Sequence, residues 1–148
     1  MLKLYLRLVL MLGLAVSLSP SMLFAKDYFV SAQAGSDAYT GIQQQPFLTL
    51  GKGVSVLLPG DTLYVRGGTY VGSSALANIP NGASWTEAVT IKAHGEETVV
   101  ITAEPGKDVL LFKRGSHHII LDGFVLDATG GRGAHWNRRG KSSYSNYQ

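Results

Sequence analysis

From Asp61 onward the chain alternates apolar and polar residues in short runs. In "TLYVR" (62–66), Leu63 and Val65 fall on one side and Thr62, Tyr64 and Arg66 on the other, the period-two signature of a half-buried strand. "AVTIKA" (88–93) repeats it with Val89 and Ile91 against Thr90 and Lys92, and "TVVIT" (98–102), "VLLFK" (109–113) and "HIILDGFVLDA" (118–128) follow. Near the start, "DYFVS" (27–31) has the same aromatic and β-branched content. One segment changes period. In "FLTLGKGVSVLLPG" (47–60), Phe47, Leu50, Val54 and Leu57 recur at steps of three and four, predicting a helix that Pro59-Gly60 ends. Gly51 and Gly53 weaken that helix, each by about 1 kcal/mol relative to alanine.

Leu63, Ile91 and Leu121 occupy comparable central positions 28 and 30 residues apart, and Ile101 and Val125 are 24 apart. A repeat of roughly 25–30 residues, strand-rich and without helices, predicts the turns of a solenoid in which each strand stacks on its counterpart one turn below. A sandwich of antiparallel hairpins would also use short alternating strands. It is disfavoured because no tight two-residue turn joins consecutive strands; the sole Asn-Gly, Asn81-Gly82, lies in a long loop without strand character.

With 148 residues the chain suits one domain. Residues 1–25 read as an export signal: Lys3 and Arg7 precede the apolar run Leu8 to Leu18, and cleavage is expected after Ala25. The run is too short for a spanning helix, which takes roughly 20 apolar residues, so no membrane association is expected once the signal is removed. The expected product is secreted or periplasmic. No cysteine is present, which excludes a disulfide framework and leaves stability to packing and backbone pairing. The net charge of +3 comes from the ends: of 13 basic residues, two lie in the signal and four in the tail, leaving 7 basic against 10 acidic over residues 26–131. A nucleic-acid partner is therefore not expected.

The order "DYFVSAQAGSDAYTGIQQQPFLTLGKGV", "LLPGDTLYVRGGTYVG", "AVTIKAHGEETVVI" and "HIILDGFVL" resembles the opening of exported right-handed parallel β-helix proteins of the pectate-lyase-like group, a polysaccharide lyase lineage. The motifs that carry the likeness are a Tyr-Phe-Val-Ser strand, a Gly-Ser-Asp loop, Pro-Phe-x-Thr before a capping helix, and a Pro-Gly-Asp turn feeding a strand that ends in Gly-Thr-Tyr. The likeness covers about residues 27–130. It implies an all-β, right-handed parallel β-helix (solenoid) with an N-terminal capping helix and about two to three coils. The expected divisions are residues 1–25 as signal, 26–60 as strand, loop and capping helix, 61–130 as the first coils, and 131–148 as a polar basic tail. The family usually carries alanines where Gly51 and Gly53 stand, which predicts a looser cap. Residues 59–72 then read as scaffold, the passage from cap into first coil.

The resemblance implies β-elimination or hydrolysis of an acidic polysaccharide, and full-length relatives commonly hold calcium with acidic clusters. Elimination needs a base and a cation to stabilise the anion it creates. Arg66, Lys92, Lys113 and Arg114 are candidate bases, yet none matches a catalytic motif, so no catalytic residue, cofactor or metal ligand is assigned. Asp122 and Asp127 make a thin acidic pair and read as turn residues; Asp37 in "GSDAYTG" reads as an Asx-type turn. His117-His118 are set aside as metal ligands because neighbours on a strand point to opposite faces, and His94 and His135 are isolated. Tyr39, Tyr64, Tyr70, Trp85 and Trp136 offer flat faces for sugars, and Trp85, in the longest loop, is the expected substrate-binding residue. "RRGKSS" (138–143) lacks the first glycine of a phosphate-binding loop, His135 standing in its place.

After Thr129 the alternation stops, and the solenoid reads as incomplete, its last coil open. Two functions follow. The first is an exported β-helix protein related to polysaccharide lyases or hydrolases and inactive as this short chain. The second is a non-catalytic module that binds glycans or self-associates through the open last coil.

Overall fold

The computed structural model describes residues 24–72 and 76–131. Most of residues 1–25, read above as an export signal, and the tail with His135, Trp136 and the 138–143 stretch, lie outside the described residues. The elements are β1 (Asp27–Val30), α1 (Leu50–Ser55), β2 (Thr62–Val65), β3 (Gly68–Val71), a 3-10 turn (Leu76–Asn78), β4 (Val89–Ala93), β5 (Val99–Thr102), β6 (Ile119–Asp122) and β7 (Phe124–Asp127). No helix among the described residues is long and apolar enough to cross a membrane.

The strands form two parallel sheets. The first has the order β1-β2-β4-β6 and the second β3-β5-β7. From β2 onward the chain passes alternately between them, so each circuit adds one strand to each sheet. Parallel pairing brings like positions into register: Tyr28, Leu63, Ile91 and Leu121 form one column. Tyr70, Ile101 and Leu126 form another. The expected columnar equivalence of Leu63, Ile91 and Leu121 is observed. In the second sheet the spacing predicts Val125 as the partner of Ile101, but the partner is Leu126. Gly123, at φ 77°, splits "HIILDGFVLDA" into strands of different sheets, and that corner sets the register of β7.

Two further expectations fail. "VLLFK" is not a strand, although Val109 is buried. The strand expected to run on into Gly-Thr-Tyr is two strands, β2 and β3, in different sheets.

The core lies between the sheets under α1. Val30, Leu63, Val65, Val89, Ile91, Val99 and Ile101 are fully buried, and Phe47, Leu50, Val54 and Leu57 close over them, although the helix expected over 47–60 is confined to Leu50–Ser55 and Phe47 instead bridges to Val30. Thr49 caps the helix, accepting from Lys52 N–H. Asp37 is not an Asx turn: its carboxylate reaches 11–12 residues along the chain to accept from Leu48 N–H, Thr49 N–H and the Thr49 hydroxyl. Burial pushes its pKa up, but hydrogen bonds from Thr49 and Leu48 and the charge of Lys52 outweigh this and leave it below the ordinary value.

Candidate functional site

The outward residues of the first sheet stack as regularly as the inward ones. Phe29, Tyr64 and Lys92 share one register row, with Asp122 next along it. Phe29 and Tyr64 stack with centroids 5.1 Å apart and planes at 14°. Lys92 Nζ lies 4.9 Å from the Tyr64 centroid, a cation–π contact. His94 meets both rings edge-on, at 5.9 and 6.0 Å. The result is an outward platform of stacked rings in which Tyr64 has Phe29 against one face and Lys92 over the other.

At the strand ends beyond this platform, Glu97 joins two circuits. Its carboxylate accepts from Gly67 N–H at 2.6 Å, Arg66 Nε at 2.8 Å and His94 Nδ1 at 2.9 Å. A carboxylate in these contacts only accepts, so Nδ1 of His94 carries the proton. The Gly67 amide and the His94 ring, with Arg66 adding to them against burial, hold the Glu97 pKa at about 2, below the ordinary 4.5. A depressed folded-state pKa contributes stability above the unfolded value and loses it as pH falls through the folded one. The acid limb of the stability curve between pH 4.5 and 2 should therefore flatten in Glu97→Gln, as chemical denaturation across that range would show. About a third of the Glu97 side chain is exposed, so the effect is moderated by solvent.

Trp85 sits elsewhere, where the loop before β4 meets the loop before β6. The Ser84 hydroxyl accepts from Glu87 N–H and contacts the Thr86 hydroxyl, closing a small turn that holds Trp85 out with 70 % of its surface exposed. The Asn81 side chain braces the two loops, accepting from His117 N–H and donating to the Gly115 carbonyl. Sequence reading gives Asn81 no role, since nothing local reveals a partner more than 30 residues away. His117 and His118 lead into β6, but their rings do not point to opposite faces as expected. His118 takes a left-handed backbone, φ 53°, and its ring meets that of His117 at an Nδ1–Nδ1 distance of 3.0 Å. The Trp85 indole packs edge-to-face on His118 at 5.0 Å. Among the described residues no three His, Cys, Asp or Glu side chains gather as a metal cluster.

The other candidates separate. Tyr70 is core: its hydroxyl donates to the Arg66 carbonyl and accepts from Ala32 N–H, and burial raises its pKa. Tyr39 is exposed in the first loop. Arg66 is engaged by Glu97 and Lys92 lies over Tyr64, while Lys113 and Arg114 lie on the exposed loop before β6. Asp122 is exposed, and Asp127 accepts from Thr129 N–H two residues on, the turn role expected of it. The structure thus joins Tyr64 to Lys92 and Trp85 to His118.

No protein-family model and no curated protein sequence matches the chain. Among solved structures it is similar to a rhamnogalacturonan lyase, 22 % identical with a TM-score of 0.55 over 69 % of this chain and 28 % of that one. It is also similar to the GH136 lacto-N-biosidase from Eubacterium ramulus, 15 % identical with a TM-score of 0.55 over 76 % and 21 %. XylC in complex with xylose is 35 % identical over 51 % of this chain and 11 % of that one, with a TM-score of 0.44. The chain therefore spans between about a tenth and just over a quarter of these proteins' lengths. The likeness to the lyase and the lacto-N-biosidase is one of fold.

Proposed function

We propose that the chain is the capping and first-coil portion of an exported right-handed parallel β-helix of the pectate-lyase-like group, and that it contacts acidic polysaccharide. The observation that carries this reading is the outward aromatic platform with Lys92 over Tyr64. The ammonium on this row suits a uronate carboxylate, and the exposed Trp85 ring suits the apolar side of a sugar. Trp85 supplies a second, more exposed ring and is the proposed substrate-binding residue. The fold-level neighbours, a rhamnogalacturonan lyase and a lacto-N-biosidase, support a carbohydrate ligand.

In this reading the described residues bind and do not catalyse. A base for elimination must reach a proton beside the carboxylate, and of the candidate bases Arg66 is already committed to Glu97 and Lys92 lies over Tyr64. The full exported chain is expected to be retarded by polygalacturonate in affinity electrophoresis while releasing no unsaturated uronide from it. Trp85→Ala should weaken retention about tenfold, the scale of one lost aromatic contact of ~1.5 kcal/mol. Unchanged retention in that variant would remove Trp85 from the site; uronide release by the wild type would remove the non-catalytic reading.

One observation favours a second reading. Strands β6 and β7 each have one edge unpaired among the described residues, and Val125 and Leu126 there are 53 % and 44 % exposed. Unpaired edges with apolar flanks invite pairing with another chain. Concentration-dependent oligomers without glycan retention would favour self-association at this end.

A further inference from the structure

Asp61 is 2 % exposed, and its carboxylate is met by backbone amides. Lys26 N–H donates to Oδ1 at 2.8 Å and Leu58 N–H to Oδ2 at 2.8 Å. The ion pairs among the described residues are Arg66–Glu97, His94–Glu97 and Lys107–Glu104, and Asp61 is in none of them. Taking a carboxylate out of water without an opposing charge is costly, and two amide hydrogen bonds offset only part of that. The position is also structurally central. Lys26 leads into β1, and its carbonyl accepts from Thr62 N–H at the start of β2. The Asp61 carbonyl accepts from Thr90 N–H in β4, and Asp61 N–H donates back to Leu58 in the turn after the helix.

The atom facing Oδ1 is the main-chain nitrogen of residue 26, and the sequence places signal removal at the Ala25–Lys26 bond. Hydrolysis of that bond by a signal-type peptidase consumes one water, leaves the carboxylate on Ala25 and frees the α-amine of Lys26. With a pKa near 7.7–8.0 in unperturbed form, such an amine takes up a proton at neutral pH.

We propose that signal removal converts the Lys26 amide into an α-ammonium that pairs with the buried carboxylate of Asp61, so that processing itself locks the start of β1 onto the turn before β2. The charge appears at the nitrogen already within hydrogen-bond distance of Oδ1, and a charge-assisted bond replaces a neutral donor. The ammonium brings further donors to an environment that otherwise offers the carboxylate only amides. Ala25 contributes little that would be lost, since it is exposed. The inference does not depend on the glycan reading.

The test begins with the full precursor expressed in an exporting host, where mass spectrometry of the mature protein should find Lys26 at the amino terminus. Four proteins are then compared by urea unfolding: one starting at Lys26 and one retaining Leu23-Phe24-Ala25, each with Asp61 or with Asp61→Asn. With Asp61 present, the protein starting at Lys26 should have an unfolding constant about tenfold or more below that of the extended one. In the Asp61→Asn background the two should coincide. Enzymatic acetylation of the Lys26 α-amine, which removes the charge without lengthening the chain, should reproduce the loss even if the Asp61→Asn proteins do not fold. A mature terminus elsewhere, equal stability of the two Asp61 proteins, a difference that persists in the Asp61→Asn background, or acetylation without effect would each overturn the proposal.

Discussion

Ile91→Ala is expected to lower the stability of the protein by about 3–4 kcal/mol, within the usual span for truncating a fully buried isoleucine. Ile91 has no exposed surface and stands between Leu63 and Leu121 in its column. The β4 backbone is held by ladders on both sides, to β2 and to β6, so the structure cannot collapse into the hole. Thr90→Ala, one residue away on the outward side, should cost less than about 1 kcal/mol, as surface substitutions generally do. Leu121→Ala separates two views of the far end. It belongs to the same column, but on the outermost described strand and only partly buried. With that rung left open, the loss should be about 1–2 kcal/mol, since an uncovered site forfeits less burial. A Leu121→Ala loss equal to that of Ile91→Ala, by urea midpoint at constant m-value, would mean that another segment or a second copy covers the rung. That outcome would favour self-association.

The inner columns are legible in the sequence because a parallel stack repeats one requirement at one spacing: each inward position must be apolar in every circuit. Leu63, Ile91 and Leu121 announce themselves that way, and so do Leu50 and Val54 in the helix, with Phe47 and Leu57 flanking it. What the pattern hides lies at corners and in contacts distant along the chain. The break that separates β2 from β3 is hidden because the strand reads as continuous into Gly-Thr-Tyr. The β7 register differs by one residue from the spacing because a corner length is set by a single φ at Gly123. The pairing of His117 with His118 is hidden because the alternation rule assumes extended backbone, and His118 departs from it.

The candidate site divides in the same way. Tyr64 and Lys92 each stand out in the sequence, one as a sugar face and the other as a base. Only the register, which sets position 64 of β2 beside position 92 of β4, shows that they form one platform. Phe29, its third member, does not stand out at all. An aromatic near the start of a strand looks like core until the inward side is known. Tyr70 is the reverse case, an aromatic that reads as a surface residue while its hydroxyl is consumed by backbone partners inside. Asp61 shows a third kind of gap: the turn is recognisable, while the burial of its carboxylate depends on residue 26, 35 positions earlier.

Gly53→Ala is expected to destabilise by about 2 kcal/mol, although alanine in an open helix would gain about 1 kcal/mol over glycine. The sequence suggests that glycine here loosens the helical cap; the geometry says that it lets the cap sit close. A Cβ on residue 53 would stand 2.7 Å from Cγ2 of Val30 and 2.8 and 2.9 Å from the two Leu63 methyls. Carbon atoms at ease lie about 3.5–4.0 Å apart. Val30 and Leu63 are themselves without exposed surface, so neither can turn aside into solvent, and overpacking of this kind costs about 1–3 kcal/mol. The explanation is separable from a general weakness of the helix by a double-mutant cycle. Leu63→Ala alone should cost about 3 kcal/mol through its cavity. Combined with Gly53→Ala, it removes two of the three obstructing atoms and gives the new methyl room to occupy. The double variant should therefore be more stable than the sum of the singles predicts, by on the order of 1 kcal/mol. Strict additivity would instead mean that α1 tilts away from the sheets to relieve the contact. The cap would then be the loose element that its two glycines suggest.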